Sequence, residues 1–143
     1  MKKIIVSSLV MAAVVFTACQ SDADADAKKR IEKAEGMTKT EISYEEEEYD
    51  FGTISEGEKV EHAFSFTNTG DAPLFIAAAT ASCGCTVPEV PEEPIAPGES
   101  SEIKVIFDSQ GKVSDDLTKT ITVTANTTPA KTQLTLKGVV KAQ

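Results

Sequence analysis

Three cysteines and a single histidine carry most of the reactive chemistry in this 143-residue sequence. Cys83 and Cys85 flank Gly84 in the run Ala81-Ser82-Cys83-Gly84-Cys85-Thr86. On an extended chain, residues i and i+2 point to the same side, so both sulfurs can approach one point. Gly84 frees the backbone between them to turn or bulge. Three chemistries fit. The thiols can be small apolar fillers at a strand end. They can join as a disulfide. An extended i, i+2 pair sits near the upper limit of Cα separation, about 6.8 Å, so the backbone must bend. An exposed bond of that kind is easily reduced and acts as a redox element. Alternatively, two thiolates can hold a soft metal, Cu(I) or Zn(II), with His62 as third ligand. A thioredoxin-type role needs Cys-x-x-Cys at a helix start, and neither the spacing nor the helix pattern is there.

His62 shares the parity of Val60, Phe64 and Phe66, which points it inward. A lone histidine on an apolar face is more often a hydrogen-bonded core residue than a ligand. The sequence has no Gly-x-Ser-x-Gly elbow, no glycine-rich phosphate loop and no His-Glu-x-x-His, so nothing in it marks an enzyme or a bound cofactor.

The third cysteine belongs to a different chemistry. Met1-Lys2-Lys3 is a basic start, Ile4 to Phe16 is apolar apart from Ser7 and Ser8, and small residues lead to Cys19. This is the layout of a secretory signal, over residues 1–18. The apolar core is too short to remain as a spanning helix, which needs about 20 residues. Phe16-Thr17-Ala18-Cys19 resembles a bacterial lipobox, with Phe16 in place of the usual Leu. That resemblance implies a diacylglycerol on Cys19, the new N-terminus. Acyl chains hold a soluble domain at a membrane without a spanning helix.

Residues 19–40 read as a flexible acidic linker. Ser21-Asp22-Ala23-Asp24-Ala25-Asp26 is too poor in large apolar side chains to pack. It also resembles the surface-export signals of Bacteroidota lipoproteins. Ala27 to Ala34 predicts a transient helical turn that Gly36 would end. The expected location is the cell envelope, on the outer membrane or the cell surface.

Net charge narrows the partners. The sequence carries 14 basic and 23 acidic side chains, a net charge of −9. Without residues 1–19, which hold Lys2, Lys3 and no acid, the balance is −11. Nucleic-acid binding requires a cationic face, as does docking on anionic headgroups, so both are excluded. The run Glu45 to Glu48 reads as a solvated bulge, because no Asp/Asn-Gly calcium loop accompanies it.

From residue 41 to 143 the apolar period is two. Val60, Phe64 and Phe66 share one parity. Ile103, Val105 and Phe107 oppose Glu102, Lys104 and Ile106. Leu74, Ile76 and Ala78 form a set, as do Ile121, Val123 and Ala125, and Leu134 and Leu136 followed by Val139. One buried and one wet face is the antiparallel pattern. Turns fall at Ser55-Glu56-Gly57-Glu58, Asn68-Thr69-Gly70-Asp71, Ala96-Pro97-Gly98-Glu99, Ser109-Gln110-Gly111 and Asn126-Thr127-Thr128-Pro129. Seven or eight short strands so separated predict an all-β, immunoglobulin-like antiparallel sandwich, with a small closed barrel as the other architecture. Pro88, Pro91, Pro94 and Pro97 recur every third residue and predict an extended connector crossing between the sheets.

The ordered set Tyr49-Asp50-Phe51-Gly52, Gly57-Glu58-Lys59-Val60-Glu61-His62, Phe64-Ser65-Phe66-Thr67-Asn68-Thr69-Gly70, Pro73-Leu74, Ser82-Cys83-Gly84-Cys85-Thr86 and Ile95-Ala96-Pro97-Gly98 resembles the bacterial domain DUF1573. It is more distantly similar to immunoglobulin-like domains of the major sperm protein and cilium-associated types. The resemblance implies a sandwich outside the cytoplasm and no established activity. The expectation is therefore a membrane-anchored, non-enzymatic structural or protein-interaction module with an envelope protein partner. The alternative is a soft-metal or thiol-redox module at Cys83 and Cys85.

Overall fold

The computed structural model describes residues 22–143; the expected signal peptide and Cys19 lie outside that range. A helix, α1 (Asp22–Gly36), precedes eight strands. They are β1 (Ile42–Tyr44), β2 (Glu48–Ser55), β3 (Lys59–Asn68), β4 (Ile76–Ala81), β5 (Thr86–Glu89), β6 (Ser100–Asp108), β7 (Ser114–Ala125) and β8 (Lys131–Lys141). They form two four-stranded sheets, ordered β1-β3-β6-β5 and β2-β8-β7-β4. Each sheet ends in free edges, so the all-β protein is a sandwich and not a closed barrel.

The period of two does what it predicts at the centre. Phe64, Phe66, Ile103, Val105, Phe107, Ile121, Leu134 and Leu136 are fully buried between the sheets. Burial of each such side chain stabilises the fold by about 2 kcal/mol. On β8 the inward parity continues through Gly138 to Val140, which is fully buried. Val139, expected to follow Leu136 inward, faces the other way because the count is strict.

Two irregularities break the pattern elsewhere. In β4 the register with β7 shifts between Ile76 and Ala78. An extra residue reverses the facing of everything after it. Ile76 still packs in the core, but Ala79 and Ala81 follow it inward, not Ala78. In β2 the shift lies between Asp50 and Thr53, and Gly52 takes a φ of 71° there. β2 pairs with β8 in parallel, the one departure from antiparallel pairing in the described sheets.

Phe75 and Ala77 alternate with the inward Leu74 and Ile76 and so face the other way, toward α1. They form a second cluster with Ala34, all three only 2% exposed, flanked by Ile31 and Met37. Arg30 secures the contact. Its guanidinium donates to the carbonyls of Ile76 at 2.8 Å, Ala77 at 3.1 Å and Pro91 at 3.0 Å. Arg30 and Lys33 both lie over the Phe75 ring, at 5.1 and 4.4 Å from its centroid. The expected flexible linker is therefore corrected over Asp22–Gly36, which is a docked helix.

Asn68 and Asn126, expected in open turns, are fully buried. Asn68 donates to the carbonyls of Ala72 and Ile95 at 2.8 and 2.9 Å and accepts from Thr40 at 2.9 Å. Asn126 donates to the carbonyls of Thr38 and Pro73 at 2.7 and 2.9 Å and accepts from the Phe75 amide at 2.7 Å. Both amides satisfy loop backbone that burial would otherwise leave unpaired.

Candidate functional site

β4 and β5 belong to opposite sheets, so the chain crosses the sandwich between Ala81 and Thr86. The Cys-Gly-Cys step makes that crossing as a tight turn, closed by the Thr86 amide donating to the Cys83 carbonyl at 3.3 Å. The turn is the bend the sequence demanded for a bond between the sulfurs. Cys83 and Cys85 are joined as a disulfide with Cα atoms 5.4 Å apart. Both residues are half-buried, and Cys85 packs at the margin of the core. The buried Thr86 places its hydroxyl oxygen 3.8 Å from Cys83 Sγ.

Three further hydrogen bonds hold the turn on both flanks. The Ser82 amide donates to the Thr120 carbonyl at 2.9 Å, and the Thr120 amide to Ser82 Oγ at 3.4 Å. The Asp108 amide donates to the Cys85 carbonyl at 2.8 Å. Gly84 does not use the left-handed region, since the positive-φ glycines are 52, 57, 98 and 111. A Cβ on Gly84 would meet nothing within 4 Å. Closing so short a loop stabilises a fold by roughly 1.5 kcal/mol, about half the value for a 15-residue loop.

His62 is not part of this site. It pairs with Val105, whose other neighbour is Pro88, whereas Cys85 lies beside Asp108. The separation is three residues along and two strands across, roughly 10 Å in each direction. His62 instead stacks on Tyr49, centroids 3.7 Å apart, and meets Phe64 edge-on at 4.7 Å. Glu46 Oε1 lies 2.8 Å from Nε2, but off the direction of the ring N–H. That nitrogen is buried and has no hydrogen-bond partner among the described residues. The expected third ligand is thus an aromatic-stack residue. Among the described residues, no three His, Cys, Asp or Glu side chains gather where a metal could sit.

A second surface faces outward from the same sheet. Val87 on β5 pairs with Ile106 on β6, which pairs with Glu61 on β3. Val87 is 54% exposed. Glu61, Ala63, Glu89, Lys104 and Ile106 line an open groove beside it. The signal in the sequence was an isoleucine on a polar parity. β5 also corrects the proline segment. Pro88 sits inside an edge strand, and the connector leaves and rejoins the same sheet, where β5 and β6 are neighbours, with Ile95 pairing on the way with Leu74 just ahead of β4. Proline's missing N–H is tolerated on an edge.

The sequence profile of the family described as "Protein of unknown function (DUF1573)" matches residues 42–140, and the chain belongs to that family. No curated protein matches it in sequence. A protein of unknown function from Porphyromonas gingivalis W83 superposes with a TM-score of 0.59 at 22% identity, covering 74% of this chain and 48% of that one. The chain thus spans about half the length of that relative. PapD-like domain 7 of human CEP192 superposes with a TM-score of 0.59 at 13% identity, covering 76% of this chain and 92% of that domain. The secreted serine protease VesC from Vibrio cholerae gives 0.53 at 13% identity, covering 76% of this chain and 24% of the protease. At these identities the likeness is one of fold alone.

Proposed function

We propose that the chain is a lipoprotein, anchored by acyl chains on Cys19 to the outer membrane or cell surface, that works as a non-enzymatic protein-interaction module. The observation that carries the interaction role is the outward pair Val87 and Ile106, bordered by Glu61, Glu89 and Lys104. An exposed apolar spot rimmed by charge is a common form of docking surface. The rim is mainly acidic and the chain strongly so. The fitting partner is therefore an envelope protein segment with an apolar side chain flanked by Lys or Arg. The anchor rests on the basic, apolar and small-residue order of residues 1–18 before Cys19. The soft-metal alternative loses support, because His62 and the two sulfurs do not converge.

Two measurements test this. Intact-mass analysis of the mature protein is expected to find acyl mass on Cys19; a chain starting at Gln20, or an unmodified Cys19, refutes the anchor. A photo-crosslinker at Val87 in intact cells is expected to capture one dominant protein that Val87→Glu loses. Equal capture from a probe at Thr118, on the opposite sheet, refutes the docking face.

A further inference from the structure

We propose that Cys83 and Cys85 form a thiol–disulfide exchange site that accepts two electrons from a protein dithiol while the sandwich stays folded. This stands apart from the docking role and uses a different part of the surface chemistry. A disulfide kept for stability normally closes a long loop, whereas this one spans a sequence separation of 2. The turn does not depend on it. Ser82 is held to β7, Cys85 to β6, and Cys83 to Thr86 by backbone hydrogen bonds in which neither sulfur takes part. Opening the bond therefore leaves both sulfurs two residues apart in the same turn, ready to close again.

Gly84 is the second observation. Neither a left-handed φ nor a close neighbour calls for glycine there. What glycine does provide is a bare, exposed flank between two half-buried cysteines, where an incoming chain can lie against the backbone. Such access governs exchange rates as much as thiol reactivity does.

The step balances with the partner's own thiols. A thiolate of the partner attacks Cys85 Sγ, the Cys83–Cys85 bond breaks, and Cys83 leaves as thiolate beside the Thr86 hydroxyl at 3.8 Å. The partner's second thiolate then attacks its own sulfur in the mixed disulfide and releases Cys85. The partner ends as a disulfide. Cys83 and Cys85 end as thiols, carrying the two electrons and the two protons that the partner gave up.

The test uses the full mature chain, oxidised, mixed with a synthetic reduced peptide carrying two cysteines. Thiols are counted by mass after alkylation. The expected result is one-for-one transfer, about tenfold faster than with oxidised glutathione at equal concentration. The reduced chain keeps its circular dichroism, and the Cys83→Ser, Cys85→Ser double variant transfers nothing. A rate no faster than that of glutathione, or reduction that proceeds only once denaturant unfolds the chain, overturns the proposal and leaves a structural staple.

Discussion

His62 lies flat against Tyr49, with ring centroids 3.7 Å apart and planes 5° apart. The stack explains why the one histidine is on an apolar parity: its ring serves as an aromatic filler at the end of the core. Its buried Nε2 has no hydrogen-bond partner among the described residues. An orphaned polar atom costs about 1–3 kcal/mol. His62→Phe keeps the ring and removes the orphan, so it is expected to stabilise the protein by about 1 kcal/mol, read from urea midpoints. A loss of stability would mean that Glu46, 2.8 Å away, is a true partner of the imidazole.

Gly138 occupies an inward position of β8 opposite the β2 bulge. A Cβ there would fall 2.3 Å from Phe51 Cε2 and 2.7 Å from the Gly52 carbonyl oxygen. The ring can rotate, but the carbonyl is backbone, fixed in the irregularity between Asp50 and Thr53. Gly138→Ala is expected to cost about 3 kcal/mol, measured by urea unfolding. Hydrogen exchange should rise first in β2.

Arg30 ties α1 to the sandwich through three carbonyls on two segments. The rest of the contact is small: among the described residues, Ile31 and Ala34 of α1, with Met37 just after it, are the apolar side chains that meet Phe75 and Ala77. Arg30→Ala is expected to remove about 2 kcal/mol of local stability. Amide exchange in α1 should then accelerate at least tenfold while the strands keep their protection. Unchanged exchange would show that the helix docks without the guanidinium.

The two layers were legible because Phe64, Phe66, Ile103, Val105 and Phe107 alternate without interruption, and one face of each strand is buried. Legibility failed wherever one residue was added. The β4 bulge swapped Ala78 for Ala79 in the core, and no periodicity announces a bulge in an alanine-rich run. α1 showed only as a transient turn over Ala27 to Ala34, and its docking was missed for another reason. Its apolar stripe is too thin to signal a stable helix alone, and the surface it covers, Phe75 and Ala77, comes from residues far along the chain. Asn68 and Asn126 look like turn residues in sequence, and they do sit at turns. That the turns are buried follows from three-dimensional packing. At the Cys-Gly-Cys step the residue types allow several chemistries, and the sharp crossing between sheets, which no spacing encodes, selects the disulfide.

Alkaline pH should weaken the fold through Tyr44. The tyrosine stands on the edge strand β1, and its hydroxyl shares a 2.9 Å hydrogen bond with Thr132 on the opposite sheet. Burial pushes its pKa above the ordinary value of 10.0; the Thr132 bond acts in the opposite direction, and the charge of Glu47 adds to the rise. The folded chain therefore holds the phenolic proton more tightly than the unfolded chain does. The resulting stability is complete below pH 10.0 and is lost as pH climbs through the higher folded-state value. Urea midpoints between about pH 9 and pH 11.5 are expected to fall more steeply for the natural protein than for Tyr44→Phe, which has no proton to lose there. Tyr44→Phe also leaves the Thr132 hydroxyl without its partner, so at neutral pH the variant should start about 1 kcal/mol lower. The two curves are then expected to converge as the pH rises, and parallel curves would mean that Tyr44 does not couple ionisation to folding.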